Sequence, residues 1–476
     1  MSIPLILASQ SRPRRDVLFS AGICPTIRVS HVDEPAALER EAAALGVTVN
    51  DLSVEQRVMI LATAKAEAVH QAYRNIADTA AHARGERVVG FPLRAADDRD
   101  ASSAGTAART DSAQSADETK TRDFSGIAIP TVAEPIADFV DGRPSLTRSK
   151  AGPLILGCDS MFLLDGECYG KPHSEEVARE RLRAMRGATG ELWTGHCLID
   201  FASGRMVRGA SKATLHFCEY SDLDIERYIA TGEPLEVAGS FTLEGFGGAF
   251  IDSIEGDPHG IIGLSLPLAR HLAGELGITW TDLWNVGRGE LELESKASGN
   301  QHAGILPPVE NVHQPGDGWV DCACGRKHWG TNGASGILLA RRDPASGKVT
   351  HVVMQHRAAW SAEGGTWGIP GGATADGESS IEGALRESYE EANITPEDIE
   401  VVGSYREDHG PWAYTTVFAF EKPGHTVEPK ANDDESMEIC WVPIDDVPNR
   451  KLLTAMKTDW PRFAARLDEL ACAGHR

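Results

Sequence analysis

Between Ala95 and Asp123 the sequence contains no Leu, Ile, Val, Met or aromatic residue. Such a segment cannot bury enough apolar surface to offset the conformational entropy lost on ordering it. Well-patterned sequence lies on both sides of it, so a single continuous core through this part of the chain is excluded. We therefore expect a largely disordered insertion at about residues 81–150, carried on the surface of a folded domain.

The composition limits which classes of protein this chain can belong to. The chain has 476 residues, enough for two or three domains of roughly 100–200 residues each. Its 46 Lys and Arg against 70 Asp and Glu give a net charge of −24, which repels phosphate backbones and anionic lipids. No apolar run approaches the roughly 20 residues that span a bilayer. Nine scattered cysteines fit reduced thiols, so we expect a soluble cytoplasmic protein without nucleic-acid or membrane partners.

Strand and helix patterns alternate on both sides of a polar stretch rich in Gly, Pro and Glu at residues 287–318. Such alternation is typical of α/β domains. We expect a first α/β domain at residues 1–286 that contains the insertion, a linker at 287–318 and a second α/β domain at 319–476. A helix is predicted from Val54 to Tyr73 and a strand from Pro153 to Asp159.

The strongest local signal lies in the second domain, where a glycine turn at residues 370–372 precedes a helix. Ser379 and Glu382 have the spacing of a capping box. Three carboxylates follow at i, i+3 and i+4, so they converge on one side of the helix: Glu387, Glu390 and Glu391. Converging anions repel one another, and oxygen ligands favour Mg²⁺ or Mn²⁺, so a divalent cation is the expected partner. The alternative is a solvated acidic helix face.

This arrangement resembles the Nudix box, G-x5-E-x7-R-E-U-x-E-E-x-G-U. The matching positions are Gly372, Glu378, Arg386, Glu387, Glu390, Glu391 and Ile394. The sequence departs from the box at Ser388, where the family has an apolar residue, and at Asn393, where it has Gly. The resemblance covers about 319–460 and implies an α/β/α sandwich that hydrolyses a nucleoside diphosphate derivative. The implied ligands of Mg²⁺ or Mn²⁺ are Gly372, Glu387, Glu390 and Glu391, of which Glu390 also counts as catalytic.

Three further residues of the second domain have expected roles. Arg386 is the single basic residue of the box segment, and we expect it to hold Glu378 and brace the loop. Asn393 can take the left-handed conformation that ends a helix. Glu435, before a strand predicted at residues 439–442, is a weaker candidate for an additional metal or base contact.

Cys322, Cys324 and His328 lie at the start of this domain and could form part of a zinc site. No second cysteine pair with zinc-ribbon spacing follows, and a closed site needs four ligands. We therefore favour a structural turn with buried thiols, while zinc binding stays open.

The first domain carries a strand-to-helix turn with hydroxyls and a cation at Ser9, Ser11 and Arg14. Together with free backbone N–H groups, these suit a triphosphate, although an N-cap with solvated arginines is the alternative. Carboxylates and lysines elsewhere could bind a metal-nucleotide and activate water. These further candidates are Glu34, Lys65, Asp159 and Lys171.

In order and number these elements resemble the Maf (septum-inhibition-like) family of nucleoside triphosphate pyrophosphatases. The matching segments include residues 7–14, 32–34, 64–66, 157–160, 170–172, 194–195, 232–234, 238–241 and 263–264. The resemblance covers about 1–80 and 152–285 and implies an α/β domain with a mixed sheet. It implies Asp159 as the general base for the water that attacks the α-phosphate and releases pyrophosphate. The other implied site residues are Glu34, Lys65 and Lys171 around Asp159, and Ser9, Ser11 and Arg14 on the phosphates.

Glu244 bears on the choice of base. The segment that contains it resembles the branch of the family acting on 7-methyl-GTP, whereas the dTTP/UTP branch has Gln at this position. A carboxylate can accept hydrogen bonds from a guanine edge. A solvated loop Glu is the alternative.

The two resemblances predict a bifunctional nucleotide-hydrolysing enzyme. The Maf half would convert nucleoside triphosphates to monophosphate and pyrophosphate, and the Nudix half would use a divalent metal cation, Mg²⁺ or Mn²⁺. One alternative is an active Maf half with a catalytically silent Nudix module that senses nucleotides. Another is a chain that acts in division control by binding a partner. The expected partners are nucleotide substrates, and a homodimer stays open.

Overall fold

The computed structural model describes residues 2–91, 122–124, 127–129, 133–136, 152–286, 314–322, 324–432 and 435–473. Most of the insertion predicted at about 81–150 and the linker predicted at 287–318 lie outside the described residues. Two compact units are present. The first takes in Met1–Arg74, Thr147–Asn300 and Val312–Pro315, and the second takes in Asn75–Leu146, Gln301–Asn311 and Gly316–Arg476. The domain boundaries given above stay a prediction.

Strands and helices alternate along the described residues. In chain order the strands are β1 (Leu5–Leu7), β2 (Thr26–Ile27), β3 (Glu86–Gly90), β4 (Arg122–Phe124), β5 (Ile127–Ile129), β6 (Ala133–Pro135), β7 (Leu154–Leu164), β8 (Glu167–Tyr169), β9 (Thr189–Asp200), β10 (Met206–Phe217), β11 (Ile251–Gly256), β12 (Trp319–Asp321), β13 (Lys327–Trp329), β14 (Ala334–Arg342), β15 (Val349–Arg357), β16 (Trp367–Gly368), β17 (Gly371–Ala373), β18 (Ile399–Asp408), β19 (Ala413–Glu421) and β20 (Ser436–Pro443). The α-helices are α1 (Arg12–Ser20), α2 (Glu34–Leu45), α3 (Val54–Ala81), α4 (Glu175–Met185), α5 (Asp222–Ile229), α6 (Pro258–Ile262), α7 (Leu266–Glu275), α8 (Ser380–Ala392) and α9 (Thr454–Ala473). None of the helices in this part of the chain is long and apolar enough to cross a membrane.

The first unit contains a mixed sheet in the order β11-β10-β9-β7-β1-β2, with β8 paired to β7. β1 runs parallel to β2 and β7, and the remaining pairs are antiparallel. β7 contributes to two apolar cores. Leu156 packs in one core with Leu18 of α1, and Phe162 packs in the other with Leu182 of α4. The central strand thereby fixes the α1 turn, which carries the predicted phosphate-binding residues.

The strand that holds Asp159 is longer than predicted. β7 continues to Leu164, and Asp159 lies opposite Gly195 in the middle of the strand. The predicted strand end at Asp159 is wrong because Phe162 and Leu164 continue the apolar face beyond the carboxylate and are fully buried. The pairing of β7 with β9 therefore continues both before and after Asp159 along the strand.

Two glycines let α3 approach this sheet closely. A Cβ on Gly157 would lie 2.2 Å from the carbonyl oxygen of Ala62, and one on Gly195 would lie 2.2 Å from that of Val58. Any side chain at these two positions would push the helix away. The close contact brings Lys65 of α3 over Asp159. The helix predicted to end at Tyr73 extends to Ala81.

The second unit contains a sheet in the order β16-β15-β14-β19-β18-β3-β6, with β17 paired to β14 and β20 to β15. α8 packs on one face, where Ile381 shares a core with Val417 of β19. α9 packs on the other face, where Trp460 shares a core with Phe418. Val417 and Phe418 are neighbours in one strand, so their side chains point to opposite faces of the sheet. The predicted α/β/α sandwich is confirmed.

The first residues of the predicted insertion form regular structure where disorder was predicted. Glu86–Gly90 forms β3, which runs parallel to β18 with Arg87 opposite Ser404, and β6 pairs antiparallel with β3. The predicted disorder is wrong for this segment because it carries apolar residues of its own: Val88 packs against a core of the second unit, and Ala83 is buried in another. Whether the apolar-free part is disordered stays a prediction.

Candidate active sites

The first candidate site lies at the turn between β1 and α1. Arg14 donates from Nη1 to Oγ of Ser9 at 3.0 Å. The backbone N–H of Ser11 donates to the same Oγ at 3.2 Å. The side chain of Ser11 makes no capping hydrogen bond to α1 within the described residues. Two hydroxyls and a guanidinium are thus collected at the helix N-terminus, as a phosphate site requires.

Arg14 is fixed from three sides. Its Nη1 donates to the carbonyl oxygen of Cys158 at 2.9 Å, and its Nη2 donates to Oγ of Ser160 at 3.1 Å. Its Nε donates to the carbonyl oxygen of Gly263 at 2.9 Å. The alternative of a freely solvated arginine is therefore wrong at this position. A cation anchored in this way loses little conformational entropy when it binds an anion.

Asp159, Lys65 and Glu34 form a compact charged group. Nζ of Lys65 lies 2.6 Å from Oδ1 of Asp159 and 2.7 Å from Oε1 of Glu34. Asp159 is 7% exposed. Burial raises the pKa of Asp159, against the opposing effect of Lys65 and Arg14, which favour its charged form. The structure brings these predicted residues together, and their catalytic roles stay a prediction.

An open depression of about 340 Å³ lies beside Glu34. Its lining is apolar except for two carboxylates, and comprises Glu34, Pro35, Leu38, Glu39, Val49, Leu61 and Met161.

Thr194 and His196 support the site from β9 and were not among the predicted site residues. The hydroxyl of Thr194 is hydrogen-bonded to Oγ of Ser160 at 2.9 Å and donates to the carbonyl oxygen of Gly260 at 2.8 Å. His196 accepts from the backbone N–H of Ser265 at 2.8 Å. Burial lowers the pKa of His196 to about 4, so it is a neutral structural histidine. The only sequence signal was the match at residues 194–195.

Glu244 and Lys171 lie on exposed segments. The loop that carries Glu244 is anchored by Glu233, which accepts from the backbone N–H groups of Phe246 and Gly247, each at 3.0 Å. Tyr228 also donates to Glu233, at 2.9 Å. Burial raises the pKa of Glu244, although its side chain reaches solvent. Glu233 was not predicted as a site residue, and its place in the motif at residues 232–234 was its only signal.

The second candidate site is built on α8. The predicted capping box is present: Ser379 N–H donates to Oε2 of Glu382 at 2.8 Å, and Glu382 N–H donates to Oγ of Ser379 at 3.3 Å. Asn393 ends the helix in the left-handed conformation, with φ 57° and ψ 32°. Both predictions are confirmed, and both ends of the helix are fixed by local sequence.

Arg386 holds the loop and two of the carboxylates together. Its Nε donates to Oε1 of Glu378 at 2.6 Å, and its Nη2 donates to Oε2 of the same residue at 3.1 Å. Its Nη1 donates to Glu387 at 2.7 Å and to Glu390 at 3.3 Å. The predicted Arg386–Glu378 pair is confirmed. The contacts with Glu387 and Glu390 were not predicted. Through them the same guanidinium offsets the mutual repulsion of these two carboxylates.

The box supplies oxygen donors of the kind that a divalent cation binds. A Cβ on Gly372 would lie 2.8 Å from Cδ of Glu387, so β17 and this carboxylate approach as closely as only glycine allows. Oε2 of Glu391 accepts from Nε2 of Gln355 at 3.3 Å. Oε1 of Gln355 is buried without a hydrogen-bond partner among the described residues. Carboxylates are the oxygen donors that Mg²⁺ and Mn²⁺ prefer, and the guanidinium of Arg386 contacts both Glu387 and Glu390.

The departures from the box leave the helix intact. Ser388 is fully buried, and its hydroxyl donates to the carbonyl oxygen of Leu385 at 2.9 Å. The polar side chain therefore has a partner inside the helix. Glu435 directly precedes β20, where its backbone carbonyl accepts from Ala358 N–H at 2.8 Å. The metal or base role of its side chain stays a prediction.

Over residues 4–276 the sequence matches the family model described as "Maf-like protein". The chain belongs to the Maf-like family. Residues 332–464 match the model described as "NUDIX domain", so this Maf-like chain also carries a Nudix domain. The predicted union of the two families in one enzyme is confirmed.

Curated relatives share one or both parts. A nucleoside triphosphate pyrophosphatase/Nudix hydrolase fusion protein of Bifidobacterium longum (strain NCC 2705) is 82% identical, over 99% of this chain and 100% of its own length. A nucleoside triphosphate pyrophosphatase of Nocardia farcinica (strain IFM 10152) is 38% identical over 60% of this chain and 98% of its own. Among solved structures, the Nudix hydrolase RenU of M. smegmatis is 34% identical, covering 32% of this chain and 94% of its own, with a TM-score of 0.29.

Proposed function

We propose that the Maf-like unit hydrolyses nucleoside triphosphates to monophosphate and pyrophosphate. The observation that carries this proposal is Asp159, buried in mid-strand and bonded to Lys65, beside the Arg14 and Ser9 turn. The Bifidobacterium longum and Nocardia farcinica relatives are named as nucleoside triphosphate pyrophosphatases, which supports the same activity.

In this proposal the phosphates are bound at the start of α1. Arg14 and Ser9, at the N-terminus of α1, bind the phosphates, and the helix dipole favours the same negative charge. Because Arg14 is anchored on the carbonyl oxygens of Cys158 and Gly263, it presents its charge at a fixed point. A fixed cation stabilises the charge that develops on the leaving pyrophosphate without reorganisation.

Asp159 accepts the proton of the attacking water. Burial raises its pKa, which makes the carboxylate a stronger base than an exposed one. Lys65 holds Asp159 and Glu34 at one ammonium, so the carboxylate that accepts the proton is held in a defined orientation. The depression beside Glu34 offers apolar surface for the nucleoside.

Isotope labelling tests this first proposal on the full chain. Turnover of nucleoside triphosphates in H₂¹⁸O should place ¹⁸O in the monophosphate and leave the pyrophosphate unlabelled, since water attacks the α-phosphorus. Label in the pyrophosphate would contradict the proposed reaction.

We propose further that the Nudix unit hydrolyses a nucleoside diphosphate linked to another group. Glu387, Glu390 and Glu391, with the backbone at Gly372, would hold Mg²⁺ or Mn²⁺. Such a cation, when bound, polarises phosphate oxygens and lowers the pKa of bound water. Arg386 keeps two of these carboxylates in place through its contacts at 2.7 and 3.3 Å.

A substrate panel tests the second proposal. ADP-ribose and dinucleoside polyphosphates contain the expected diphosphate linkage but no terminal triphosphate for the Maf site, so they report on the Nudix unit alone. With Mg²⁺ or Mn²⁺ the full chain should convert at least one of them to a mononucleotide. Tight binding of these compounds without turnover would instead support a nucleotide-sensing module.

Glu244 bears on the choice of nucleobase. We propose 7-methyl-GTP as a substrate class of the Maf unit because Glu244 lies on a loop held in shape by Glu233. A Glu244→Gln variant should lose preference for 7-methyl-GTP over UTP, as measured by the ratio of kcat/KM values. An unchanged ratio would argue for a solvated loop residue. The cytoplasmic location stays a proposal from the cysteine content. A homodimer stays open.

A further inference from the structure

The start of the second unit gathers side chains that neither proposed activity uses. β12 and β13 form a separate two-stranded sheet, and the turn between them carries Cys322 and Cys324, with His328 on β13. The loop between β18 and β19 adds His409 to this group. Sequence spacing could not supply that residue, because it lies far along the chain and only the fold brings it near.

The four side chains are close enough to share one ion. One donor atom from each residue lies within 4.8 Å of the other three. Sγ of Cys324 is 3.1 Å from Nε2 of His328. Zinc bonds of about 2.0–2.3 Å in a tetrahedron separate the donors by about 3.3–3.8 Å, so the donor atoms need to approach one another by at most about 1.5 Å.

His409 is oriented as a metal ligand. Its side chain is 9% exposed, and its Nε2 lies 3.4 Å from Oε1 of Glu407. Its Nδ1 is buried without a hydrogen-bond partner among the described residues. A histidine that ligates a metal through one ring nitrogen characteristically contacts a carboxylate through the other. The environment therefore leaves the inner nitrogen for a ligand.

Trp412 fixes both imidazole rings. The ring of His328 stacks on its indole with centroids 4.1 Å apart and planes 9° from parallel. The ring of His409 meets the same indole edge-on at 5.4 Å. Nε1 of Trp412 donates to the carbonyl oxygen of Trp329 at 2.9 Å, which ties the indole to β13. Rings held in this way need little ordering to bind a metal.

We propose that Cys322, Cys324, His328 and His409 bind one Zn²⁺ in a closed structural site. Two thiolates and two imidazoles are a donor set that selects zinc, whereas the carboxylates of α8 select harder cations. Four protein ligands leave no position for a substrate, so the site is structural rather than catalytic.

The site would fasten the β12–β13 hairpin to the β18–β19 loop. Each strand of this hairpin has three residues, and an isolated two-stranded sheet of that size is marginally stable at best. On binding, both thiols lose their protons to solvent, and the thiolates bond to the metal without change of oxidation state.

Cobalt substitution tests the proposal on the full chain. Co²⁺ added to metal-free protein should give the intense visible bands of a tetrahedral site and a near-ultraviolet thiolate-to-cobalt band. Added Zn²⁺ should abolish both at about one equivalent per chain. Wild-type protein that shows no thiolate-to-cobalt band, or retains no zinc after dialysis, would overturn the proposal.

Matched variants locate the site. Cys324→Ser and His409→Ala should each lower zinc content at least tenfold in mass spectrometry, and the cobalt bands should be lost. Cys440→Ser and His425→Ala change the same residue types elsewhere in the second unit and should keep both signals. Bands that persist in Cys324→Ser, or disappear in Cys440→Ser, would contradict the assignment. If the ligand variants fail to fold, the wild-type cobalt spectrum still decides.

Discussion

Lys65 is a single residue that links the charged groups of the Maf-like site. Its ammonium is shared by Asp159 at 2.6 Å and Glu34 at 2.7 Å, so it positions both carboxylates at once. It also opposes the effect of burial on the pKa of Asp159, because a nearby cation favours the ionised form.

The Lys65→Met variant should therefore change both rate and pH dependence. We expect kcat/KM for pyrophosphate release to fall about 100-fold or more, in the range for loss of acid–base positioning. The base must be ionised to accept a proton, and burial already raises the pKa of Asp159. Removing Lys65 raises that pKa further, so the acid limb of the pH–rate profile should move to higher pH.

Lys212→Met provides the control, since Lys212 forms an exposed pair with Glu191 in the same unit. Its rate and pH profile should match those of the wild type. An acid limb that stays in place in Lys65→Met would show that Lys65 does not act on the ionisation of Asp159.

Gly372 is the corresponding single-residue test of the Nudix site. In Gly372→Ala the new Cβ would lie 2.8 Å from Cδ of Glu387. The carboxylate can swing away, so we expect little change in thermal unfolding. Its displacement should lower metal-dependent turnover by about 10- to 100-fold, because errors near 1 Å in a catalytic group have effects of that size.

Gly368→Ala is the control in the same unit, where the nearest atom to a new Cβ is Cδ2 of Leu453 at 3.9 Å. It should retain activity. Full activity in Gly372→Ala would argue against a cation held between β17 and Glu387.

At the scale of elements, the contact of α3 with the β7–β9 pair determines the first site. A Cβ in Gly195→Ala would lie 2.2 Å from the carbonyl oxygen of Val58, and backbone atoms of a packed helix cannot move aside without cost. We expect a loss of about 1–3 kcal/mol in the free energy of unfolding, as is usual for overpacking. Urea denaturation measures it. Pyrophosphate release should fall as Lys65 is displaced.

Gly209→Ala tests whether the effect is specific to this contact. On β10 the nearest atom is a methyl carbon of Leu268 at 3.2 Å, which can rotate away. This variant should lose less than half as much stability. Equal losses in both would mean that α3 does not rest on Gly195.

Elements set by neighbouring residues were predictable from the sequence. The capping box at Ser379, the left-handed Asn393 and the Arg386–Glu378 pair all lie within a few turns of one helix, where spacing determines geometry. The orders of the Nudix and Maf motifs likewise identified the α/β/α sandwich and the mixed sheet.

Features that depend on distant parts of the chain were missed. Asp159 was placed at a strand end because the sequence does not show that β7 continues to pair with β9. β3 was assigned to the insertion because its partner, β18, lies in the second unit's part of the sequence. His409 and Gln355 escaped notice for the same reason: single polar residues gain meaning only from what the fold places beside them.

In the molecule as a whole, deleting different parts of the insertion should have different effects on stability and activity. Residues 95–121 contain no large apolar side chain, so deleting them should leave both activities and the thermal unfolding profile unchanged. Deleting residues 84–136 and bridging the gap with a Gly-Ser linker should destabilise the second unit. It removes β3 from the edge of β18 and exposes that strand.

Calorimetry of the two deletions distinguishes these parts. We expect the larger deletion to lower the unfolding temperature and to reduce Nudix turnover more than pyrophosphate release. Identical profiles for the two deletions would contradict the contribution of β3 to the second sheet.

If the chain carries two separate nucleotide-hydrolysing sites, each reaction should be lost without the other. The most direct test measures both reactions in full-length Asp159→Asn and Glu390→Gln. Asp159→Asn should reduce pyrophosphate release from nucleoside triphosphates by about 1,000-fold and leave metal-dependent hydrolysis of diphosphate-linked nucleotides unchanged, and Glu390→Gln should do the reverse. Loss of both reactions in either correctly folded variant would contradict independent sites.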